Sequence, residues 1–193
     1  MSEPITPQQY HERAMQLPLH QHYSILDRYL PDGGEALELG CGVGHGVLHL
    51  VEKGFHVTAV DAEHEAIDLL RSRLPDGSPA RLVRSKFQEL EMERYDVVVG
   101  QFCLFYLTPA EFDAFWPKVV DSVKPGGLFA GQFLGGDDEW RERGYATHNR
   151  AEIDGLLADF EVLHLDEERE VRDNVWGDSK YWHVFHVVAR KRE

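Results

Sequence analysis

The sequence predicts a single α/β domain built on a parallel sheet. Short β-rich runs alternate with helical periods along most of the chain, and glycine-containing turns fall between them. The 193 residues are 42% hydrophobic and 28% charged, an ordinary globular mix with enough apolar mass for one sizeable core. Internal repeats and low-complexity stretches are absent.

The first element is a helix over about Thr6 to Leu17, because Thr6-Pro7-Gln8-Gln9 offers a capping threonine, a proline at the first helical position and a glutamine that reaches back. A second helix covers roughly Gln21 to Leu30, with Tyr23, Leu26, Tyr29 and Leu30 on one side, and Pro31-Asp32-Gly33-Gly34 stops it. Residues 1–34 therefore form a helical lid segment, and the compact domain runs over 35–193. Strands are expected at Glu35 to Leu39, Phe55 to Val60, Arg81 to Arg84, Tyr95 to Gly100 and Leu128 to Phe133. Helices between them fall at about Gly46 to Lys53, Ala62 to Leu74 and Pro109 to Val123, the last opened by a capping box at Thr108-Pro109-Ala110-Glu111. Lys124-Pro125-Gly126-Gly127 ends it. Asn149-Arg150-Ala151-Glu152 opens a further helix to about Asp159. Two successive strands, Phe160 to Leu165 and Tyr181 to Arg190, then predict an antiparallel hairpin. The last strand is apolar on both faces and should be an interior strand.

Charge and composition exclude several classes. Lys plus Arg number 20 against 34 Asp plus Glu, a net charge of -14, so a nucleic-acid backbone would be repelled. The apolar runs are too short to span a bilayer and the N-terminus lacks the pattern of a secretory signal, which predicts a cytoplasmic protein with a small-molecule partner. Cys41 and Cys103 make neither a disulfide framework nor a zinc set. Eleven histidines raise the question of a metal, but His20 and His22 should point apart on a helix, and His183 and His186 lie on opposite faces of a strand; no metal site is expected. The acidic run Asp166-Glu167-Glu168-Arg169-Glu170 suits a solvated hairpin rim.

The chemistry concentrates in Glu38-Leu39-Gly40-Cys41-Gly42-Val43-Gly44, three alternating glycines where a strand turns into a helix. Glycine lets a ligand come close to the backbone. Asp61, 21 residues after Gly40 and at the end of the second strand, is placed to accept hydrogen bonds from a ribose. A dinucleotide fingerprint G-x-G-x-x-G fits neither register, since residue 45 is His45 and residue 47 is Val47. Glu38 would also repel a pyrophosphate, whereas it suits a cofactor carrying an ammonium and a sulfonium. A NAD-dependent oxidoreductase is thus the disfavoured alternative; a non-catalytic S-adenosylmethionine-binding module is another.

These residues resemble the class I S-adenosylmethionine-dependent methyltransferases, whose E/D-x-G-x-G-x-G motif Glu38 to Gly44 matches in full. Asp61, the run Tyr95 to Val99 and the turn Val123 to Leu128 continue the resemblance, which is nearest to the small-molecule branch that includes the tellurite-resistance methyltransferases. The resemblance implies a Rossmann-like three-layer sandwich with a seven-stranded, mostly parallel sheet of order 3-2-1-4-5-7-6 and strand seven antiparallel. It implies methyl transfer from S-adenosylmethionine to a small molecule by in-line displacement, with S-adenosylhomocysteine as product. Glu38, Gly40, Cys41, Gly42 and Gly44 would hold the methionine portion, Asp61 the ribose and Ala62 the adenine. Phe87 could cover the adenine and Gln88 its edge, although Lys86 stands where many relatives carry an acid. Gln101 and Phe102 would face the methionine and the methyl.

Methyl transfer asks mainly for alignment and exclusion of water, and a base only for a hydroxyl or amine acceptor. Tyr106 and His148 are the candidates for that proton acceptor. Trp140 and Trp176 fall in two irregular excursions where they could wall a pocket or anchor a loop, and Tyr10 and Tyr23 could act from the N-terminal helices.

Overall fold

The computed structural model describes residues 6–193 and has an α/β sandwich around one sheet. Of the expected lid segment, residues 1–5 lie outside the described residues. The elements are α1 (Pro7–Gln16), α2 (His22–Leu26), β1 (Gly34–Leu39), α3 (His45–Glu52), β2 (Phe55–Asp61), α4 (His64–Arg73), β3 (Ala80–Arg84), β4 (Tyr95–Gly100), α5 (Pro109–Ser122), β5 (Val123–Gly135), β6 (Thr147–His148), α6 (Arg150–Leu156), β7 (Phe160–Asp173) and β8 (Ser179–Lys191). The sheet order is β3-β2-β1-β4-β5-β8-β7, with β8 antiparallel to both neighbours. This is the expected arrangement with one addition: the two-residue β6 pairs parallel with β5 and makes eight strands.

Alternation along each strand splits the core into two layers. Leu37, Leu39 and Val98 face α5, where Phe112, Phe115, Trp116 and Val119 are buried. Ala36, Val97 and Val99 face the other layer, made by Tyr23 and Leu26 of α2, Val47 and Leu50 of α3, and Ile67 and Leu70 of α4. A third cluster, Phe105, Leu134, Trp140, Trp182 and Val184, sits beyond the carboxyl end of β5. The three capping boxes all form, at Thr6, Thr108 and Asn149.

The hairpin differs from expectation. The acidic run does not rim a loop but lies inside β7, which pairs with β8 from Phe160↔Lys191 to Asp173↔Ser179. Its carboxylates have partners on the neighbouring strand: His183 Nε2 bonds Glu167 Oε1 at 2.8 Å and His186 Nε2 bonds Glu168 Oε2 at 3.2 Å. Charges that alternate along an edge strand hold it to its one neighbour and discourage pairing with another chain. β5 also starts earlier than expected, because a register shift opposite Tyr95/Val97 accommodates Pro125 and Gly126 within the strand. Beyond β5, Asp138 Oδ1 takes the ammonium of Lys180 at 2.5 Å with both groups buried, which ties the following loop down onto β8.

Candidate cofactor and acceptor site

Ligands of open α/β sheets bind beyond the carboxyl ends of the strands where the strand order reverses, here between β1 and β4. The loop Gly40 to Gly44 leaves β1 at that point, and its glycines do different work. A Cβ on Gly40 would lie 2.4 Å from Cys103 Cβ, and one on Gly44 would lie 2.2 Å from Leu70 Cδ1, so both permit packing. Around Gly42, at φ +49, a Cβ would meet nothing within 4 Å. Only this glycine of the three turns a bare face to open space. Asp61, ending β2, accepts the Gly42 N–H on Oδ2 at 2.8 Å and the Glu63 N–H on Oδ1 at 2.9 Å, so the acid and the loop hold each other in place. The guanidinium of Arg73 adds a hydrogen bond to Val43 O. Ala62 follows Asp61 and is exposed.

Glu38 is the unusual group. Its side chain is buried, with Oε1 accepting from the Tyr23 hydroxyl at 2.9 Å and Oε2 left without a hydrogen-bond partner. Desolvation pushes its carboxyl up to about 8, against the opposing effect of the Tyr23 bond. Gly46 makes the pair possible, since a Cβ there would lie 1.8 Å from Tyr23 Oη and 2.3 Å from Glu38 Oε1. An orphaned carboxylate oxygen is the acceptor an ammonium needs.

Phe87 lies beside the loop, its Cζ 3.7 Å from where a Gly40 Cβ would be, and stacks on Phe115 with centroids 5.2 Å apart. Gln88 Nε2 donates to Glu111 Oε1 at 2.9 Å, so its amide is engaged with the capping box of α5. Gln101 and Phe102 follow β4 directly. Phe102 has φ +49, the only positive φ of a non-glycine residue among those described. The backbone N–H of Phe102 is held by Gln132 Oε1 at 3.0 Å. A residue in this strained region is often part of a site.

The histidine expectation needs correction. His20 and His22 do not point apart on one helix, because α2 begins only at His22 and His20 lies in the preceding turn. Their rings are 6.5 Å apart, and both approach His186, at 5.8 Å and 5.9 Å. His20 also sits edge-on to Phe102 at 5.0 Å. His164 lies 6.5 Å from His22, so four imidazoles gather near Phe102. No group of three or more His, Cys, Asp or Glu among the described residues is placed to hold a metal. Sequence spacing could not have found this cluster, which joins a turn, a helix start, β7 and β8; nor did it single out Gln132, a fully buried polar residue in β5.

Tyr106 is 41% exposed, and its ring meets Phe105, Trp140 and Tyr145. Desolvation first, then the Tyr10 and Tyr145 phenols, raise its pKa, which keeps it protonated and able to donate rather than accept. His148 is not brought to Phe102. It packs against Phe112 at 4.6 Å and Phe133 at 6.0 Å on the α5 side, and burial lowers its pKa. Trp140 is buried in the third core cluster, anchoring the loop after β5. Trp176 lies in the β7–β8 turn against Tyr10, centroids 5.2 Å apart. Cys41 and Cys103 are buried free thiols, and burial raises both pKa values; Cys103 Sγ donates to Leu39 O at 3.1 Å. A separate surface cleft of 490 Å³, lined by Glu35, His56, Ala80 and Tyr95, lies at the amino ends of the strands and includes none of these groups.

The sequence and the fold both have counterparts among known proteins. Residues 36–127 match the family model described as a methyltransferase domain. Carboxy-S-adenosyl-L-methionine synthase of Aeromonas salmonicida is 31% identical over 108 residues, 52% of this chain and 44% of that protein, so the chain spans under half of that relative's length. Among solved structures, TehB of Haemophilus influenzae superposes with TM-score 0.77 at 19% identity, over 90% of this chain and 63% of that one. The 1,6-didemethyltoxoflavin-N1-methyltransferase of Burkholderia thailandensis, solved with bound 1,6-didemethyltoxoflavin and S-adenosylhomocysteine, gives TM-score 0.69 at 22% identity, over 100% of this chain and 94% of that one. The chain therefore has the fold of the S-adenosylmethionine-dependent methyltransferases, and residues 36–127 match a methyltransferase domain model.

Proposed function

We propose that this protein binds S-adenosylmethionine beyond the carboxyl ends of β1 and β4 and passes its methyl group to a small-molecule acceptor. One observation carries the cofactor reading: the buried, unpartnered Oε2 of Glu38 at the foot of a loop whose Gly42 faces open space. Bound, the cofactor supplies a methyl carbon already activated by its sulfonium. Glu38 would take the cofactor's ammonium, Gly42 would admit it to the backbone, and Asp61 would receive the ribose hydroxyls on its remaining lone pairs. Ala62, Phe87 and Gln88 would border the adenine, and Gly40, Cys41 and Gly44 would shape the loop. Gln101 and Phe102 would border the methyl.

Two features support a covered acceptor side. α1 is tied down near its carboxyl end, by His45 Nε2 on Ala14 O at 3.1 Å and by Arg13 Nη1 on Trp176 O at 2.5 Å. Tyr10, Tyr106 and Trp176 would form the wall beneath this lid. A cover that excludes water and fixes the acceptor supplies much of what a displacement requires.

Glu38 gives this reading a proton signature. With a pKa of about 8 the free protein holds the carboxyl largely protonated at pH 7, and an ammonium beside it would ionise it. S-adenosylmethionine binding at pH 7 is therefore expected to release a proton, measured by calorimetry in buffers of different ionisation enthalpy, and Glu38→Gln is expected to abolish the release. Uptake, or no exchange in the native protein, would contradict the role. The same group sets a stability trend in the cofactor-free protein. Its folded pKa lies above the ordinary 4.5, so the folded state binds more protons in between. Stability from this group is full below pH 4.5, declines toward pH 8 and is flat above; Glu38→Gln should flatten that decline in denaturant midpoints.

The functional test is release of S-adenosylhomocysteine from S-adenosylmethionine across a panel of small thiols, phenols, amines and carboxylates. Acceptor-dependent release supports the enzyme; tight binding with no turnover on any acceptor would favour a non-catalytic module. A second reading, in which the nucleotide carries a carboxyl as in the relatives named for carboxy-S-adenosyl-L-methionine, is favoured by the unpartnered His22 Nε2 beside Gln101. Tighter binding of that nucleotide than of S-adenosylmethionine would select it.

A further inference from the structure

A chain of hydrogen bonds beside the proposed methyl position settles the tautomers of two histidines. Gln132 Oε1 accepts from the Phe102 N–H, which fixes the orientation of the Gln132 amide. Gln132 Nε2 then donates to Gln101 Oε1 at 2.7 Å, and this in turn orients the Gln101 amide. Gln101 Nε2 donates to His22 Nδ1 at 2.8 Å. With Nδ1 accepting, neutral His22 carries its proton on Nε2. That nitrogen is buried and has no partner, and the His22 side chain is 0% exposed. His20 is fixed in the same sense, because its Nδ1 accepts the His22 backbone N–H at 3.2 Å and leaves Nε2–H as a donor. Burial first, then the neighbouring imidazoles, lower the pKa of His22 to about 3 and of His20 to about 4, so neither becomes a cation near neutral pH.

The surrounding charges are matched except for what a ligand would bring. Glu168 divides its two oxygens between Arg172 Nε at 3.1 Å and His186 Nε2 at 3.2 Å. The Arg172 guanidinium, also 3.0 Å from Glu170, lies over the rings of Trp182 at 4.4 Å and Phe102 at 5.8 Å. His20 and His22 thus each offer an Nε2–H, His164 brings a further buried, unpartnered Nε2 beside His22, and the Arg172 guanidinium also approaches Phe102. An oxygen that only accepts suits such a site, and a negative one suits it best, because a buried donor without a partner is destabilising until it is matched.

The geometry points to His20 and His22 as a carboxylate-binding pair that holds an anionic oxygen of the methyl acceptor beside Phe102, with Gln101 and Gln132 as positioning residues that keep the His22 proton on Nε2. The inference rests on the methyl-transfer reading for the word acceptor, but the donor pair itself can be measured without it. The test uses the full chain labelled with ¹⁵N-histidine, with and without saturating S-adenosylhomocysteine, titrated with benzoate and with benzamide as its uncharged counterpart. Both histidines should appear as Nε2–H tautomers, and benzoate but not benzamide should shift them. His22→Phe, which keeps a ring and removes the donor, should weaken benzoate by about tenfold. It should change S-adenosylhomocysteine affinity by less than about threefold, because that nucleotide carries no group at the methyl position for the His22 donor to hold.

Benzoate shifts in a protein that fails to bind S-adenosylhomocysteine would uphold the donor pair while removing the cofactor reading. Tight S-adenosylhomocysteine binding with no benzoate shift would overturn the pair and leave the cofactor reading standing. Equal shifts with benzamide, or a Nδ1–H tautomer at His22, would also overturn it. Should His22→Phe fail to fold, the tautomers and the benzoate–benzamide contrast in the native protein still decide.

Discussion

Gly42→Val is expected to abolish S-adenosylmethionine binding, weakening it by more than about a thousandfold, or roughly 4 kcal/mol, while the protein still folds. The two halves of that result have separate causes. A Cβ at residue 42 meets no protein atom within 4 Å, so the valine side chain finds room in the fold and occupies the space through which a cofactor would reach the loop backbone. The φ of +49 costs a β-branched residue about 1–2 kcal/mol, which lowers the melting temperature without removing the native state. The neighbouring glycines provide the contrast. Gly40→Val drives its side chain into Cys103 and Gly44→Val into Leu70, so both should fail by instability rather than by lost affinity. Calorimetric titration alongside thermal melts separates the cases. Normal affinity in a folded Gly42→Val protein would place the cofactor elsewhere.

Asp61→Ala is expected to weaken S-adenosylmethionine by one to two orders of magnitude, roughly 1.4 to 2.8 kcal/mol for loss of charge-assisted ribose bonds. The structure adds a second reason. Each carboxylate oxygen already accepts a backbone N–H, from Gly42 and from Glu63, so removing the acid also frees the loop that the cofactor approaches. Asp61→Asn discriminates the two contributions, since its amide retains one acceptor for the loop but loses the charge. A smaller loss in the asparagine variant than in the alanine variant is the predicted order. An unchanged dissociation constant in Asp61→Ala would remove the residue from the site.

Much of this arrangement is legible along the chain because it depends on neighbours in sequence. Capping boxes at Thr6, Thr108 and Asn149 are four-residue patterns, and all three helices start where those patterns lie. The both-sided apolar pattern of 181–190 marked an interior strand, and β8 is indeed flanked by β5 and β7. The glycine loop and Asp61 are also local signals, and the structure joins them through the Gly42 N–H.

The extent of β7 was hidden because its charges alternate with each other rather than with apolar residues, so strand periodicity gives no contrast there. The histidine cluster was hidden for a different reason. His20, His22, Gln101, Gln132 and His186 are drawn from a turn, a helix start, the end of β4, β5 and β8, and only the folded sheet brings them to one place. His148, a candidate proton acceptor in the sequence, lies in β6, and there its ring packs against Phe112 and Phe133, a placement that depends on pairing of β6 with β5 and leaves no local signal.

The central claim is the identity of the cofactor, and parallel calorimetric titration of the purified protein with S-adenosylmethionine, S-adenosylhomocysteine and NAD at one pH and salt tests it most directly. The account predicts binding of the first two in the micromolar range, about −8 kcal/mol, and none of NAD. Binding of NAD without the other two would contradict it and return the glycine loop to a dinucleotide.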